Sequence, residues 1–229
     1  MFHRLGYQIE RVDKDSRFWD RQQLLEDCGV TTAIDVGANE GQFAGLLRRD
    51  GFQGRIISFE PLPGAFDALA THAADDPLWE PYQFALADQV KGGTIHVAAN
   101  SQSSSLLPMM IAHSVAVPES KYVAEIDVNI STLDEQAKTL LMPSEVTYLK
   151  LDVQGYEDKV LKGAQRTLEQ VAAIETELSF VPLYAGQRLF HDLCSMLYVF
   201  GFHLVFVKEV FRDPRTGHVL QVDGFFRRD

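Results

Sequence analysis

The chain has 229 residues, of which 46% are hydrophobic and 23% are charged, and its formal net charge is -11 at pH 7. This length suits one domain with a sizeable core. The acidic balance argues against a protein that binds nucleic acid through a basic face, and against binding to an anionic membrane surface.

Residues 1–29 are predicted to form a polar lead-in with helical stretches, and residues 30–229 to form the main domain. The main domain begins with alternating strands and helices. The predicted order is a strand in TTAIDVG, a helix in EGQFAGLLRRDG, a strand in RIISFEP, a helix in GAFDALATHAA and a third strand in WEPYQFALAD. The first helix ends at a glycine, as helices often do.

The pattern changes after the third strand. GGTIHVAA and YVAEIDVNIST alternate polar and apolar residues, which predicts half-buried strands. The Ser- and Pro-rich segment between them, NSQSSSLLPMMIAHSVAVPESK, is predicted to be a loop. A small β insertion therefore interrupts the alternation.

The alternation then resumes and predicts the fold class. The elements are a helix in TLDEQAKTL, a strand in VTYLKLDV, a helix in GYEDKVLKGAQRTLEQ, a strand in AAIETELSF and a helix in LFHDLCSMLYVFG. Two final strands, FHLVFVKEVF and HVLQVDGFFRR, are joined by the short turn RDPRTGH and must be antiparallel. We predict an α/β fold with a mainly parallel sheet, helices on both faces and an antiparallel C-terminal hairpin. This expected arrangement fits the Rossmann-like sheet of class I methyltransferases and does not fit a plain dinucleotide-binding fold.

The turn DVGANEGQF after the first strand indicates the kind of ligand. A dinucleotide fingerprint needs G-x-G-x-x-G so that a helix N-terminus can hold a pyrophosphate. This turn has D-x-G-x-x-x-G, and Asp35 stands where a pyrophosphate would be repelled. An acid there suits S-adenosylmethionine, whose ammonium Asp35 would attract. Gly37 and Gly41 would let the backbone approach, and Asn39 would offer its amide to the ligand's carboxylate.

The ends of the next two strands extend the predicted cofactor site. Glu60 ends the second strand, where a carboxylate can accept hydrogen bonds from both hydroxyls of a ribose. NAD-binding folds use the same device, so Glu60 indicates an adenosine ribose without choosing between the two ligands. The third strand would end beside the adenine. The predicted cofactor-binding residues are Asp35, Gly37, Ala38, Asn39, Gly41, Gln42, Phe43, Glu60, Pro61, Ala85 and Leu86.

These motifs resemble those of the FkbM-type family of S-adenosylmethionine-dependent methyltransferases. The matching stretches are DVGANEGQF, SFEP, FALAD, SSSLL, STLDE, YLKLDVQGYEDKVLKGA, IETELSF and the closing hairpin. The resemblance covers about residues 30–229 and leaves the lead-in aside. It implies O-methylation of a hydroxyl on a sugar, a glycolipid or a specialised metabolite.

Three carboxylates are candidates for the chemistry. Methyl transfer to an alcohol needs an aligned nucleophile and a group that accepts its proton. Asp152 ends the strand that the topology places beside the first strand, although it could also cap the following helix. Glu175 and Glu177 are two residues apart in the next strand and would share a face. We expect a metal-free general base among the three. The alternative is a Mg²⁺ ion held by Asp152 and Glu177, which would lower the pKa of the hydroxyl.

Other candidates are less specific. Ser103, Ser104 and Ser105 offer hydroxyls to an acceptor from the predicted loop, and His191 and His203 are the histidines nearest the expected site. Two further functions stay open. A NAD-dependent oxidoreductase is disfavoured by the missing third glycine, and a non-catalytic binding protein could keep the same fold.

The compartment is also predicted from the sequence. Two cysteines, Cys28 and Cys194, have no metal-type spacing and are interpreted as structural thiols of a reducing compartment. The first residues lack the apolar core of a signal peptide, and no run reaches the roughly 18 apolar residues of a membrane span. We expect a cytoplasmic protein without stable membrane insertion. Its oligomeric state is left open.

Overall fold

Residues 20–228 are described by the structure, which is a computed structural model. The predicted helical lead-in is therefore covered only from Asp20 onward, and its earlier part lies outside the described residues. Asp20 caps the first helix, because its side chain accepts a hydrogen bond from the backbone N–H of Gln23 at 2.9 Å.

Seven strands form the main sheet. They are β1 (Thr32–Val36), β2 (Arg55–Phe59), β3 (Trp79–Tyr82), β7 (Thr147–Leu151), β8 (Val171–Ser179), β9 (Phe202–Arg212) and β10 (Val219–Arg228). Their order is β3-β2-β1-β7-β8-β10-β9. The first five are parallel, and β10 is antiparallel to both of its neighbours. The predicted α/β sheet with an antiparallel C-terminal hairpin is confirmed.

Helices cover both faces of this sheet. They are α1 (Arg21–Asp27), α2 (Gln42–Arg49), α3 (Pro63–Ala73), α5 (Leu133–Leu140), α6 (Glu157–Lys162) and α7 (Phe190–Val199), whereas α4 (Ile111–Ala116) lies within the insertion. Successive residues of β1 point to opposite faces of the sheet. Ile34 belongs to the hydrophobic cluster under α6 and α7, whereas Ala33 belongs to the cluster under α1, α2 and α3. Both faces are buried, as parallel sheets require.

The predicted β insertion is a separate three-stranded sheet. Its strands are β4 (Ala85–Leu86), β5 (Lys91–Ala98) and β6 (Tyr122–Ser131), in the order β4-β6-β5. The third strand predicted in WEPYQFALAD is present as β3, but it ends at Tyr82 and does not extend to FALAD. The chain leaves the main sheet after Tyr82, and β4 pairs with β6 instead, where Ala85 lies opposite Ile130. An apolar run does not reveal which of two sheets its backbone will join.

Two other predictions of local structure are corrected by tertiary contacts. The segment predicted as a loop contains α4, whose buried His113 packs edge-on against the Tyr184 ring at 5.2 Å. The helix predicted over residues 155–170 ends at Lys162 and is followed by a 3₁₀ turn at Thr167–Gln170. Gly163 follows α6 where a Cβ atom would lie 1.9 Å from the carbonyl oxygen of Ala87. The backbone at Ala87, next to β4 of the insertion, therefore packs directly against the C-terminal end of α6.

Cys28 and Cys194 are both free and half-buried, and burial raises the pKa of each thiol. Within residues 20–228, every helix is too short or too polar to cross a membrane.

Candidate functional site

The strand register places two rows of side chains on one face of the sheet, at the carboxyl ends of the strands. In the lower row, Asp35 pairs with Lys150, and Lys150 pairs with Glu175. Residues two positions further along share that face and form an upper row. The upper row consists of Glu60, Gly37, Asp152, Glu177 and Asp223, which belong to β2, β1, β7, β8 and β10 or directly follow them. In open α/β sheets, ligands bind at this edge.

A cavity of about 420 Å³ opens over the two rows. Its size is within the range of about 300–1,000 Å³ typical of small-molecule sites. The three predicted catalytic carboxylates line it. It is also lined by every predicted cofactor-binding residue except Gly41, namely Asp35, Gly37, Ala38, Asn39, Gln42, Phe43, Glu60, Pro61, Ala85 and Leu86.

The two glycines of the turn have different roles. Gly37 has a φ of +83°, and a Cβ atom there would lie 1.9 Å from the carbonyl oxygen of Asp152. Only glycine lets the ends of β1 and β7 meet so closely. Gly41 has a φ of +92°, and its Cβ would lie 2.8 Å from the Trp79 ring. Gly41 therefore shapes the turn and packs against β3 instead of facing the cavity.

Glu60 is held in a fixed orientation at the end of β2. It is 5% exposed, and its two carboxylate oxygens accept the backbone N–H groups of Asn39 and Leu62, each at 2.8 Å. Burial raises the pKa of Glu60 to about 7, and the two hydrogen bonds oppose that rise. Each carboxylate oxygen has two acceptor sites, so one on each remains for a ligand.

Asp35 and Asn39 occupy the two sides of the turn. Asp35 is 1% exposed, and burial raises its pKa to about 7 although the charge of Lys150 opposes the rise. Asn39 adopts a left-handed conformation with a φ of +48°, and its Nδ2 donates to the Ser101 hydroxyl at 3.0 Å. The amide that was expected to meet a ligand carboxylate is thus hydrogen-bonded to the Ser-rich segment.

Asp152 and Glu177 form a coupled pair of carboxyl groups. Gln154 Nε2 donates to Asp152 Oδ1 at 2.8 Å and to Glu177 Oε2 at 2.7 Å. Burial would raise the pKa of Asp152, but Lys150 Nζ, 3.3 Å from its Oδ2, holds that pKa below its ordinary value. Burial and the neighbouring charge of Asp152 raise the pKa of Glu177 well above its usual range. The surroundings of the pair therefore favour an ionised Asp152 beside a neutral Glu177.

Glu175 is engaged by donors from within the protein. It is fully buried, and Arg21 donates to both of its oxygens at 2.6 Å. The Tyr148 hydroxyl donates to Oε2 at 2.5 Å. The Arg21 guanidinium lies over the Phe43 ring, 5.0 Å from its centroid. Helix α1, part of the predicted lead-in, therefore contributes a side chain to the cavity wall.

The three predicted serines do not act together. Ser104 lines the cavity. Ser103 lies with its hydroxyl 3.3 Å from Nε2 of the buried His113, and Ser105 donates to the backbone carbonyl of Gln154 at 2.7 Å. Ser103 and Ser105 are not among the residues that line the cavity, and both hydroxyls make contacts inside the fold. The neighbours that line the cavity instead are Ser101 and Gln102.

The two histidines singled out from the sequence lie away from the cavity wall. His191 is 77% exposed beside Asp192. His203 packs edge-on against the Tyr198 ring, with 5.1 Å between the ring centroids. Neither side chain is placed to exchange a proton with a ligand in the cavity.

The predicted magnesium ligands are joined by other donors. Gln154 bridges Asp152 and Glu177, and the Lys150 ammonium already supplies a cation beside Asp152. Within residues 20–228, no group of three or more His, Cys, Asp or Glu side chains is arranged to hold a metal ion. The Mg²⁺ alternative gains no support from this geometry.

Sequence reasoning missed several side chains that line the cavity. Lys150 had a signal, because it is a cation inside the buried strand TYLKL, where an unpaired charge would be costly. Asp223 had a similar signal within the buried run of β10. Arg21 had none, since its partner Glu175 is 154 residues away along the chain.

Comparison with known sequences identifies relatives of this chain. The profile of the Methyltransferase FkbM domain matches residues 35–204. The 2-O-methyltransferase NoeI of Sinorhizobium fredii (strain NBRC 101917 / NGR234) is 24% identical over 172 residues, which cover 72% of this chain and 70% of that protein. Methyltransferase sdnD of Sordaria araneosa is 25% identical over 163 residues, which cover 57% of this chain and 59% of that protein.

Solved structures show the same fold. A putative S-adenosylmethionine-dependent methyltransferase from Listeria monocytogenes aligns with a TM-score of 0.51 and 8% identity, covering 91% of this chain and 94% of that one. TrmK of M. capricolum, solved with the cofactor product S-adenosyl-homocysteine, aligns with a TM-score of 0.50 and 6% identity, covering 90% and 68% of the two chains. At such identities the likeness concerns the fold alone.

Proposed function

The chain belongs to the FkbM methyltransferase family, and from that premise we propose that it transfers a methyl group from S-adenosylmethionine to a hydroxyl of a sugar, a glycolipid or a specialised metabolite. The observation that carries this proposal is the upper row of side chains. It sets a ribose-type carboxylate, a glycine turn and a carboxyl pair along one cavity wall.

The residues present fit the methyl donor. Glu60 keeps one free acceptor site on each oxygen for the two ribose hydroxyls. Gly37 lets the ends of β1 and β7 meet at the cavity wall, and Asp35, which lines the same cavity, supplies an acid for the ammonium group. Ala85 and Leu86 offer apolar surface for the adenine. S-adenosylmethionine supplies an electrophilic methyl group when it is bound there.

The carboxyl pair fits the needs of an alcohol acceptor. An alcohol oxygen becomes strongly acidic as its bond to the methyl group forms, so even a carboxylate whose pKa is lowered can accept the proton at that stage. We assign this role to Asp152, which is kept ionised by Lys150. Glu177, the protonated partner, can donate a hydrogen bond that orients the acceptor. Gln154 holds the two groups together.

We assign Glu175 a positioning role instead of the base role that its place in the strand first indicated. Its oxygens accept hydrogen bonds from Arg21 and Tyr148, and a group in this state is a poor proton acceptor. It holds α1 against the sheet and so closes one side of the cavity. A change at Glu175 should therefore weaken folding as well as activity.

Oxygen is the acceptor atom that the name of one relative specifies. NoeI is described as a 2-O-methyltransferase, and we extend oxygen methylation to this chain as part of the proposal. The net charge of -11 supports a small-molecule or glycolipid acceptor over a nucleic acid. The oxidoreductase alternative is not favoured, because the family that matches is a methyltransferase family.

Isothermal titration with S-adenosylhomocysteine tests the donor half of the proposal. The wild-type protein should bind it with micromolar affinity, and Glu60→Gln should weaken binding by about ten- to a hundredfold because a charge-assisted hydrogen-bond acceptor is lost. Glu40→Gln, an exposed acid in the same turn, is the matched control and should bind as the wild type does. Absence of binding by the wild-type protein would refute the proposal.

The catalytic half is tested by methyl transfer to a panel of sugar acceptors, followed by mass spectrometry. Asp152→Asn should reduce turnover by about a hundredfold or more, since general-base catalysis contributes on that scale, while it leaves S-adenosylhomocysteine binding within about threefold. If Asp152→Asn retains wild-type turnover, the assigned base is wrong.

A further inference from the structure

Asp223 is a buried carboxylate that faces the cavity without a partner. It is 8% exposed and lines the cavity beside Glu177, its cross-strand neighbour on β8. Across residues 20–228, its carboxylate receives no hydrogen bond and forms no ion pair within 4.0 Å. The residue is largely buried, but its carboxylate is open to the cavity and not to a protein donor, so a donor on a bound ligand is the partner that would satisfy it.

The other cavity carboxylates are satisfied from within the protein. Asp152 has Lys150 and Gln154, Glu175 has Arg21 and Tyr148, Glu177 has Gln154, and Glu60 has two backbone N–H groups. Asp223 differs from them in this respect. The difference is not one of burial, because Glu60 is buried to a similar extent.

The charges around Asp223 leave it without a counter-ion of its own. Burial raises its pKa to about 6, and Glu175 and Asp152 add to the rise, while Lys150 and Arg21 oppose it. These two cations are already paired with Asp152 and Glu175. Lys208 is the cross-strand neighbour on β9, but it is exposed and outside ion-pair distance. At neutral pH, Asp223 is therefore mainly ionised and open to a donor.

The position of Asp223 identifies which ligand it meets. Neighbouring strands are about 4.8 Å apart, so Asp223 on β10 lies about 10 Å from Asp152 on β7 and about 19 Å from Glu60 on β2. The methyl donor extends from Glu60 toward Asp152 if the proposed function holds. Asp223 then lies on the far side of the reacting centre, where the acceptor must be.

We propose that Asp223 is a specificity-determining residue of the acceptor site. It binds a hydrogen-bond donor, an ammonium or a second hydroxyl, that the acceptor carries close to the hydroxyl to be methylated. The same carboxylate excludes acceptors with a carboxylate, phosphate or sulfate at that place. This inference rests on the proposed function and adds the acceptor's chemical class: neutral or cationic, and rich in donors.

The test uses glucose and two probes that each differ from it at one position: glucosamine, which has an ammonium at C2, and glucuronate, which has a carboxylate at C6. Each is titrated by NMR into the full-length protein saturated with S-adenosylhomocysteine. The wild-type protein should bind glucosamine and glucose at least about tenfold more tightly than glucuronate, because like charges repel strongly in a buried site. Asp223→Asn keeps the shape and removes the charge, so it should reduce this preference to about threefold or less.

Glu209→Gln is the matched control, since it removes an exposed acid from the same hairpin and should keep the wild-type preference. Equal binding of the three probes by the wild-type protein overturns the inference, as does an unchanged preference in Asp223→Asn or failure of both donor-bearing probes to bind. Loss of S-adenosylhomocysteine binding by the wild-type protein is a different result, which refutes the proposed function itself. Thermal melting of Asp223→Asn verifies that the variant is folded.

Discussion

Replacing Arg21 with methionine should destabilise the protein strongly, although the residue precedes the segment that matches the family. Arg21 closes the bidentate ion pair with the fully buried Glu175, and its guanidinium also lies over the rings of Phe43 and Phe225 at 5.0 and 5.7 Å. Methionine preserves much of the apolar contact but removes the charge. The variant therefore leaves a buried carboxylate with the Tyr148 hydroxyl as its remaining donor.

The magnitude follows from the burial of the pair. Breaking a buried ion pair by removing one partner costs about 3–5 kcal/mol, because the remaining charge is left uncompensated. Arg21 is 14% exposed and Glu175 is not exposed, so solvent screens little of this cost. For a domain of this size, each kcal/mol lowers Tm by about 2–4 °C. Arg21→Met should therefore lower Tm by roughly 10 °C.

Differential scanning calorimetry and urea unfolding measure the effect. Lys138→Ala is the matched control, because Lys138 pairs with Glu135 on the surface of α5 with about half of each side chain exposed. A surface pair of this kind contributes less than about 1 kcal/mol. The double variant Arg21→Met/Glu175→Gln should recover at least about half of the loss, since a neutral amide no longer requires a counter-ion.

Two results would refute the reasoning. If Arg21→Met unfolds within about 1 kcal/mol of the wild type, as Lys138→Ala should, α1 is not docked by this ion pair. If the double variant is as unstable as the sum of its single changes, the cost does not arise from the unpaired Glu175 charge.

Three further predictions concern the cofactor turn and pH. Glu60 must be ionised to accept both ribose hydroxyls, and burial raises its pKa to about 7. Calorimetry should therefore show that S-adenosylhomocysteine binds about tenfold more weakly at pH 6 than at pH 8. Glu60→Gln should reduce this pH dependence of binding, and an unchanged pH dependence in that variant would contradict the assignment. Gly37→Ala should abolish S-adenosylhomocysteine binding or folding, because the new Cβ atom would lie 1.9 Å from the carbonyl oxygen of Asp152. Gly45→Ala lies inside α2, where the new Cβ atom meets nothing within 4 Å. This control should leave binding intact and raise the free energy of unfolding by up to about 1 kcal/mol. Burial also raises the pKa values of Asp35 and Glu157 to about 7, and it raises those of Asp223 and Glu177 as well. With Glu60, these five carboxyls make the folded state bind more protons than the unfolded state between about pH 4 and 7, so the free protein's Tm should fall as pH rises through that window. The lowered pKa of the buried His113 acts in the opposite direction and is outweighed, and a Tm that rises across the window would refute these assignments.

The strand and helix alternation predicted most of the fold because each element carries its own periodicity. Errors occurred where distant contacts decide the structure. The chain passes from the main sheet to the small sheet between Tyr82 and Ala85. Which sheet the segment after Tyr82 joins depends on β6, a strand far along the chain that pairs with β4. Helix α6 ends against the carbonyl of Ala87, a contact that no local signal predicts.

The cofactor side of the cavity was more predictable than the acceptor side. Glycines and acids at strand ends are local signals, and the structure places most of those residues at the cavity wall. The partners that set their charge state are remote in sequence, as with Arg21 and Glu175. The run of three serines has no periodicity, and the bridge between Ser105 and His96 decides which hydroxyl turns inward.

The upper row also bears on how enzymes of this shape diversify. The distances between its members are set by backbone hydrogen bonding between strands, which varies little from one sheet to another. The small sheet and the Ser-rich segment form the opposite wall and can lengthen, shorten or change composition without altering those distances. The sheet backbone thus fixes the distance between the cofactor side and the acceptor side of the cavity. The variable wall determines which acceptor molecules can enter the cavity.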